Sequence, residues 1–469
     1  MKIKLPATVK TVLDSLHAAG YEAYAVGGCV RDSILGRQPD DWDITTSARP
    51  DQVKQLFRRT VDTGIQHGTV TVLVGSGAHE VTTYRIDGKY ADGRHPDQVT
   101  FTASLEEDLK RRDFTINAMA YSQEEGLIDL YGGIQDLQRK MLRCVGNPME
   151  RFAEDALRIL RAVRFSAQLS LRIDPETERA IEALAPSLSR ISAERICTEL
   201  LKLITSGHPD YLERAWRMGI TRVILPEFDK MMETPQNNPH HCYNVGRHTL
   251  QSMCQVRADK VLRLTMLLHD VAKPDCHTRD GEGTDHFKGH APVGAEMARG
   301  ILRRLKLDND TIHQVVTLVK YHDWRMEPEE RQVRRAANKV GTDLFPLLRE
   351  VQMADALAQS DFHRQDKLQR IEGVWVLYEK ILQEGQCISL KELKITGQDV
   401  LQAGLKPGPE VGEVLKLALE DVLEEPGHNN REYLLNLVRT EIAARSVNDP
   451  QTANEREGKE RERTKKQDA

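Results

Sequence analysis

Residues 24–48 read YAVGGCVRDSILGRQPDDWDITTSA, and this stretch decides the fold of the N-terminal part. A short apolar strand, Tyr24–Val26, runs into Gly27-Gly28, and a helix starts near Cys29. Glycines at such a turn let backbone N–H groups approach a phosphate, and a helix N-terminus adds its positive dipole end. Arg31 lies one turn into that helix. Asp41 and Asp43 then stand at i and i+2 on a candidate strand, Asp41–Thr45. Period two puts both carboxylates on one face and Trp42 on the other. Two carboxylates projecting together repel unless a cation lies between them. Mg²⁺ suits that arrangement and keeps positions open for substrate phosphates. Two-metal phosphoryl or nucleotidyl transfer needs such oxygens. An Asp-x-Asp pair alone also fits a solvated loop; Gly27-Gly28 and Arg31-Asp32 just upstream favour a site.

Outward from this stretch, residues 8–19 form a helix pattern ending at Gly20, and 50–59 form another with Pro50 near its start. Thr69–Val74 and Glu80–Arg85 are Val- and Thr-rich strands joined by a turn over Gly75–His79. The first 145 residues therefore predict an α+β head, a small mixed sheet with helices. From about Arg151 to Arg445 the pattern is almost wholly helical. Periodicity is strong in Glu154–Leu169, Ala193–Ile204, Lys260–Val271, Ala295–Leu305 and Glu410–Leu423. Breaks fall at Thr234–Pro239, Pro274 and Pro407–Pro409. From Pro450 the chain is polar and charged, which predicts a frayed tail.

Composition excludes several classes. Of 469 residues, 39% are apolar and 29% charged, a globular profile, and no apolar run reaches membrane-spanning length. The start, MKIKLPATVK, lacks an apolar signal core, so a cytoplasmic protein is expected. The 66 basic and 71 acidic residues leave a charge of −5. A phosphate-rich partner must therefore be met by local basic patches. Seven cysteines without a CxxC pair point to reduced thiols. Aromatics at 5% fit a helix-rich chain.

Two further segments carry chemistry. DLKRRDFTINAMAY, residues 108–121, sets Arg111 and Arg112 beside an ordered helix start, which suits phosphates. The bland alternative is a solvated basic face with Asp113 capping a helix over 114–121. RFAEDALRILRAVRFSAQL, residues 151–169, reads as one helix in which Glu154, Arg158, Arg161 and Arg164 follow at spacings of four, three and three. Asp155 and Arg158 are then surface neighbours. A fixed carboxylate beside a guanidinium can pair with the Watson–Crick edge of cytosine or adenine without a template. A plain Glu154–Arg158 surface pair is the competing reading.

Five motifs occur in order: GGCVRD, DWDITT, LKRRDFTINAMA, IDLYGG and EDALRILRAVRF. Together they resemble the bacterial class II tRNA nucleotidyltransferases, the CCA-adding enzymes, of the DNA polymerase β superfamily. The likeness is dense over 26–165 and weaker to about 440. It implies template-independent addition of C, C and A to the tRNA 3′ end from CTP and ATP. It assigns Asp41 and Asp43 as the catalytic, Mg²⁺-holding carboxylates and Gly27, Gly28 and Arg31 as the triphosphate turn. It places Asp108, Arg111, Arg112, Asp113 and Asn117 on triphosphate and ribose, and Glu154, Asp155 and Arg158 at the base; Arg161 and Arg164, on the same helical spacing, are further nucleotide-binding candidates. Residues 87–99, DGKYADGRHPDQV, resemble the flexible loop that helps the family switch from C to A, which speaks against CC-only addition. An A-only or poly(A)-adding enzyme is the neighbouring alternative.

Nine of the 16 histidines fall between His240 and His322. His269-Asp270 ends the apolar helix VLRLTMLLHDVAK, His248 lies 21 residues upstream, His290 precedes a helix and His322 closes one. A buried His-Asp dipeptide is costly unless paired or metal-bound. These positions, with Asp355, are similar to the HD phosphohydrolases. The resemblance implies a transition-type metal (Ni²⁺, Mn²⁺, Fe²⁺, Co²⁺ or Zn²⁺) and a second, phosphohydrolase activity. A satisfied histidine core is the competing reading. A chain that is primarily such a hydrolase, with the head as a nucleotide- or RNA-binding module, is the alternative from another class; the intact Asp41 and Asp43 argue against it. The expected division is a catalytic head over 1–145, a helical neck over 146–232, an HD-type domain over 233–375, a helical RNA-binding region over 376–448 and a tail over 449–469. The expected partners are the tRNA acceptor arm, CTP and ATP, and no membrane.

Overall fold

The computed structural model describes residues 2–87 and 99–447. The interior of the loop expected over 87–99 and the tail expected over 449–469 lie outside the described residues. The chain divides into two compact units. One runs to Asn237 and takes in Tyr243–His313; the other comprises Asn238–Cys242 and the chain from Gln314.

The first unit begins with the head. Its strands are β1 (Ala23–Val26), β2 (Ile44–Thr46), β3 (Thr60–Gly64), β4 (Thr69–Val74), β5 (Gly77–Thr83), β6 (Arg85–Asp87), β7 (Val99–Phe101), β8 (Met119–Ser122) and β9 (Gly126–Asp129). Seven of them make one mixed sheet in the order β3-β4-β5-β2-β1-β8-β9, while β6 and β7 pair separately. β2 and β5 run parallel; the other neighbours are antiparallel. All four residues of β1 are buried, as a central strand covered on both faces requires. The helices are α1 (Ala7–Ala18), α2 (Gly28–Ile34), α3 (Pro50–Leu56), α4 (Leu105–Lys110), α5 (Gly133–Gln138), α6 (Pro148–Glu154), α7 (Leu157–Leu169), α8 (Pro175–Leu184) and α9 (Ala193–Ile204). α1 buries Val9, Val12, Leu13 and Leu16 at helical spacing and packs on β1 and β4.

Five local expectations change, each for a physical reason. β2 starts at Ile44 rather than Asp41, although Val26 N–H already donates to the Asp43 carbonyl at 3.0 Å. The helix expected over 50–59 stops at Leu56, because Phe57 is extended and the chain turns into the edge strand β3. The β4–β5 turn is two residues, Gly75-Ser76, since Val74 pairs with Gly77. No helix spans 114–121: Thr115–Asn117 make one 3₁₀ turn, and Met119–Ser122 join the sheet beside β1. Sheet pairing there overrides local helix preference. The single helix read over 154–169 is broken at Asp155, whose backbone is extended (φ −138°, ψ 102°) and whose Oδ1 accepts from Leu157 N–H at 3.0 Å. Asp155 thus starts α7 instead of lying on its surface.

The rest of the first unit is helical, with helices Val245–Gln255, Lys260–Leu268 and His290–Arg304. The second unit contains Glu330–Val340, Phe345–Leu357, Arg364–Gln383, Pro409–Glu424 and Arg431–Val447. Among the described residues no helix is long and apolar enough to cross a membrane. All seven cysteines are free thiols.

Candidate active site and metal centre

Asp41 and Asp43 sit on the extended segment that leads into β2. Trp42 between them is buried while both carboxylates are exposed, so the alternation read from the sequence holds before the strand itself begins. Crowding marks the pair. The Asp43 pKa is pushed up to about 6, first by lost hydration, then by the like charge of Asp41; Glu80 on β5 adds to this and Arg112 opposes it. A divalent cation would relieve that repulsion, so the donor set fits a hard, oxygen-loving metal.

Gly27, at φ +83°, faces the Arg112 guanidinium. A Cβ there would lie 2.9 Å from Arg112 Nη1, so only glycine lets the turn and that guanidinium meet. Gly28 opens α2, and a Cβ there would meet Arg31 only at ordinary contact distance. Arg31 is buried; it donates to Asp32 at 2.8 and 3.0 Å and to Asn117 Oδ1 at 2.6 Å. Asp108 is fully enclosed. It accepts from Arg111 at 2.7 Å and Thr45 at 3.0 Å and pairs with Arg112 at 3.5 Å. Burial alone would raise its pKa; the two guanidinia hold it below the ordinary value. Asp113 takes both prongs of Arg161 at 2.6 and 2.9 Å and accepts from Phe114 N–H and Asn117. Despite burial, that ion pair and those bonds bring its pKa down to about 2.

The helical segment behind the head does not join Asp155 to Arg158. Asp155 Oδ2 is held by Arg195 of α9 at 2.8 Å. Arg158 donates to Glu154 at 2.6 Å and to the Arg151 and Arg111 carbonyls at 3.0 and 3.1 Å. The Glu154–Arg158 pair is therefore real but not a solvated one, since Arg158 is buried. Farther along α7, Arg164 pairs with Glu199 at 2.5 Å, and burial draws its pKa down to about 10. The Phe165 ring collects Arg31, Arg161 and Arg164 at 5.2, 5.3 and 3.8 Å. Such crowded guanidinia suit a polyphosphate.

Three residues escaped the sequence reading: Glu80, Arg195 and Glu199. For Glu199 a signal existed. It lies three residues after Ile196 and four before Leu203, within the buried face of α9, where an unpaired carboxylate would be costly. Glu80 and Arg195 read as ordinary exposed charges.

The histidine-rich stretch brings four expected ligands together in the first unit. His248 and His269 face each other through Nε2 atoms 3.4 Å apart. Asp270 Oδ2 is 3.8 and 3.3 Å from them, and its Oδ1 is 3.4 Å from His290 Nε2. His269 and His290 each place Nδ1 2.7–2.8 Å from the carbonyl three residues back. That bond puts the proton on Nδ1 and turns the Nε2 lone pair inward, the arrangement metal-binding imidazoles use. All four side chains are buried, and Lys273 Nζ lies 2.7 Å from Asp270, balancing its charge. Imidazole nitrogens with one carboxylate fit a transition-type ion. In the second unit, His322 has the same Nδ1 bond, to the Val319 carbonyl at 2.7 Å, and lines a cleft with Asp355.

Residues 23–143 match the family model "Poly A polymerase head domain", 170–232 a model of the RNA- and SrmB-binding site of polymerase A, and 290–438 a model of tRNA nucleotidyltransferase domain 2. The CCA-adding enzyme of Lactiplantibacillus plantarum is 36% identical over 452 residues, covering 93% of this chain and 97% of that protein. That of Levilactobacillus brevis is 38% identical over 408 residues, covering 87% and 90%. The crystal structure of the Bacillus stearothermophilus CCA-adding enzyme in complex with CTP superposes with a TM-score of 0.69 at 28% identity, over 94% of this chain and 98% of that one. Likeness this extensive, at this identity and on this head, makes the chain a member of the CCA-adding enzyme family of tRNA nucleotidyltransferases.

Proposed function

We propose that the chain adds C, C and A, without a template, to the 3′ end of tRNA from CTP and ATP. The observation that carries this reading is the crowded carboxylate pair Asp41 and Asp43, beside the glycine turn and the Arg112 guanidinium. Enzymes of this family use divalent metals. Asp41 and Asp43 would hold Mg²⁺, which when bound lowers the pKa of the attacking hydroxyl and neutralises charge on the leaving pyrophosphate. The reaction is in-line attack of the RNA 3′-oxygen on the α-phosphorus of the incoming nucleotide. The bond to the β,γ-pyrophosphate breaks, and the hydroxyl proton is lost to solvent or carboxylate. Gly27 and Gly28 offer backbone to the triphosphate, and Arg31, Arg111 and Arg112 offer guanidinia. Asp108, enclosed by its partners, positions Arg111 and Arg112; Asp113 and Asn117 position Arg161 and Arg31.

Glu154, Asp155 and Arg158 read the base. Asp155 accepts from the exocyclic amine that C and A share, and Arg158 donates to the ring acceptor beside it. Arg161 and Arg164 complete the basic lining. On this reading the head is 1–145, the neck 146–232, the metal-binding domain 233–375 and the RNA-binding region 376–448, which takes the acceptor arm by shape and phosphates. Free thiols throughout fit a reducing cytoplasm. A tRNA lacking its 3′ end, incubated with each labelled NTP alone and together, tests the reading. C, C, then A should enter, with no U or G. A lengthening A tail would instead show a poly(A)-adding enzyme.

A second reading of the middle region rests on the inward-facing Nε2 atoms. His248, His269, Asp270 and His290 would hold a transition-type metal for phosphohydrolase chemistry, with His322 and Asp355 as the further expected ligands. Metal analysis of the purified chain, followed by phosphatase assay, tests this separately.

A further inference from the structure

The Phe165 ring is where the basic lining of the head meets that of the helix behind it. Arg31 comes from α2, Arg161 and Arg164 from α7. Their guanidinia lie 5.2, 5.3 and 3.8 Å from the centre of this one ring. Each has an anion of its own: Asp32 for Arg31, Asp113 for Arg161 and Glu199 for Arg164. The three cations nevertheless repel. The strain shows at Arg164, whose pKa burial draws down to about 10; Glu199 opposes the fall, while Arg161 and Arg31 add to it. An aromatic face offsets such repulsion, because its negative charge density attracts any guanidinium within about 6 Å. The ring is also fixed. Phe165 is buried, and the fully enclosed Phe114 meets it edge-on at 5.9 Å and 79°. The lining opens to solvent at Arg161, whose side chain is one-third exposed.

We propose that Phe165 is a positioning residue of the nucleotide site, its π face gathering Arg31, Arg161 and Arg164 closely enough to take one polyphosphate chain. The inference rests on the proposed transfer reading, in which these arginines line the site of the incoming nucleotide. Without the ring, three like charges spread, and the anion must draw them together again as it binds. Cations gathered beforehand spare the ligand that reorganisation. An aliphatic side chain would fill much of the same space and leave the guanidinia unheld, so the part played by the π face is separable from packing.

Inorganic tripolyphosphate probes the site without turnover. Its affinity for the full-length chain is measured by calorimetry, beside KM and kcat for CTP and ATP on a tRNA lacking its 3′ end. Phe165→Leu should weaken tripolyphosphate and raise KM for both nucleotides by about tenfold, with kcat and the KM for tRNA within about twofold of wild type. Pentafluorophenylalanine placed at 165 keeps the ring's outline and reverses its charge distribution. It should weaken tripolyphosphate at least as much as leucine does, and 4-fluorophenylalanine should fall between it and the natural ring. The fluorinated series decides the question where the leucine variant fails to fold. A packing role for Phe165 would leave tripolyphosphate affinity unchanged across that series. That result overturns the proposal, as does unchanged affinity in a folded Phe165→Leu, or a wild-type chain that does not bind tripolyphosphate. The expected graded affinities in a chain that adds no nucleotide to tRNA would support the role of the ring and overturn the transfer reading alone.

Discussion

At the scale of single residues, two aspartates carry opposite pH signatures. The folded-state pKa of Asp43, about 6, lies above its unfolded value near 4. Stability contributed by the protonated group is present below pH 4 and is lost as pH rises through 6. In metal-free protein, Asp43→Asn should therefore raise the melting temperature at pH 7–8, and the difference should vanish below pH 4. A variant that melts lower at neutral pH would mean the carboxylates are not in conflict. Asp113 is the reverse. Its pKa, about 2, is depressed by Arg161 and its hydrogen bonds, so its contribution is full above pH 4 and lost as pH falls through 2. That shift corresponds to about 2 kcal/mol at neutral pH. Asp113→Asn should cost about that much in urea unfolding at pH 7, with the gap closing in acid. A pH-independent cost would make the pair a packing feature instead.

At the scale of elements, α7 and α9 form the unit that matters. Ile159, Leu160 and Val163 of α7 and Leu200 and Leu203 of α9 are almost completely buried, and each such side chain contributes about 1.5–3 kcal/mol. On that apolar base, Arg195 and Glu199 of α9 hold Asp155 and Arg164. Arg158→Ala should erode preference for CTP and ATP over UTP and GTP by about one to two decades, the worth of a bidentate base contact. Arg195→Ala should erode the same preference without touching a nucleotide, because Asp155 loses its anchor. Single-nucleotide incorporation decides this; slower turnover with unchanged preference in both would make α7 purely structural.

The head's strands and the long helices were legible in sequence because their periods are strong: α1, β1, β4 and α9 fall within a residue of expectation. The break at Asp155 was not, since EDALRILRAVRF keeps helical spacing through it. Only the cap to Leu157 and the pull of Arg195, forty residues away, extend that backbone. The β8 strand was hidden for a related reason, its pairing partner β1 lying over ninety residues earlier in the chain. Asp41 and Asp43 were legible from their spacing. Their neighbour Glu80 was not, because a register between β2 and β5 brings it there.

At the scale of the whole molecule, the paired carboxylates of the head and the clustered imidazoles of the middle region suit two separate chemistries. Asp270→Ala should strip any transition metal from the chain while nucleotide addition continues at near wild-type rate. Loss of the Lys273 partner should lower stability by roughly 1–3 kcal/mol. A metal-free wild type with a large melting drop in the variant would mark the histidine cluster as scaffold. The central claim is that Asp41 and Asp43 perform the transfer. Its most direct test measures tRNA binding and CCA addition side by side in Asp41→Ala and Asp43→Ala at normal Mg²⁺. The predicted result is wild-type tRNA affinity with addition abolished in both; full addition in either variant would contradict the account.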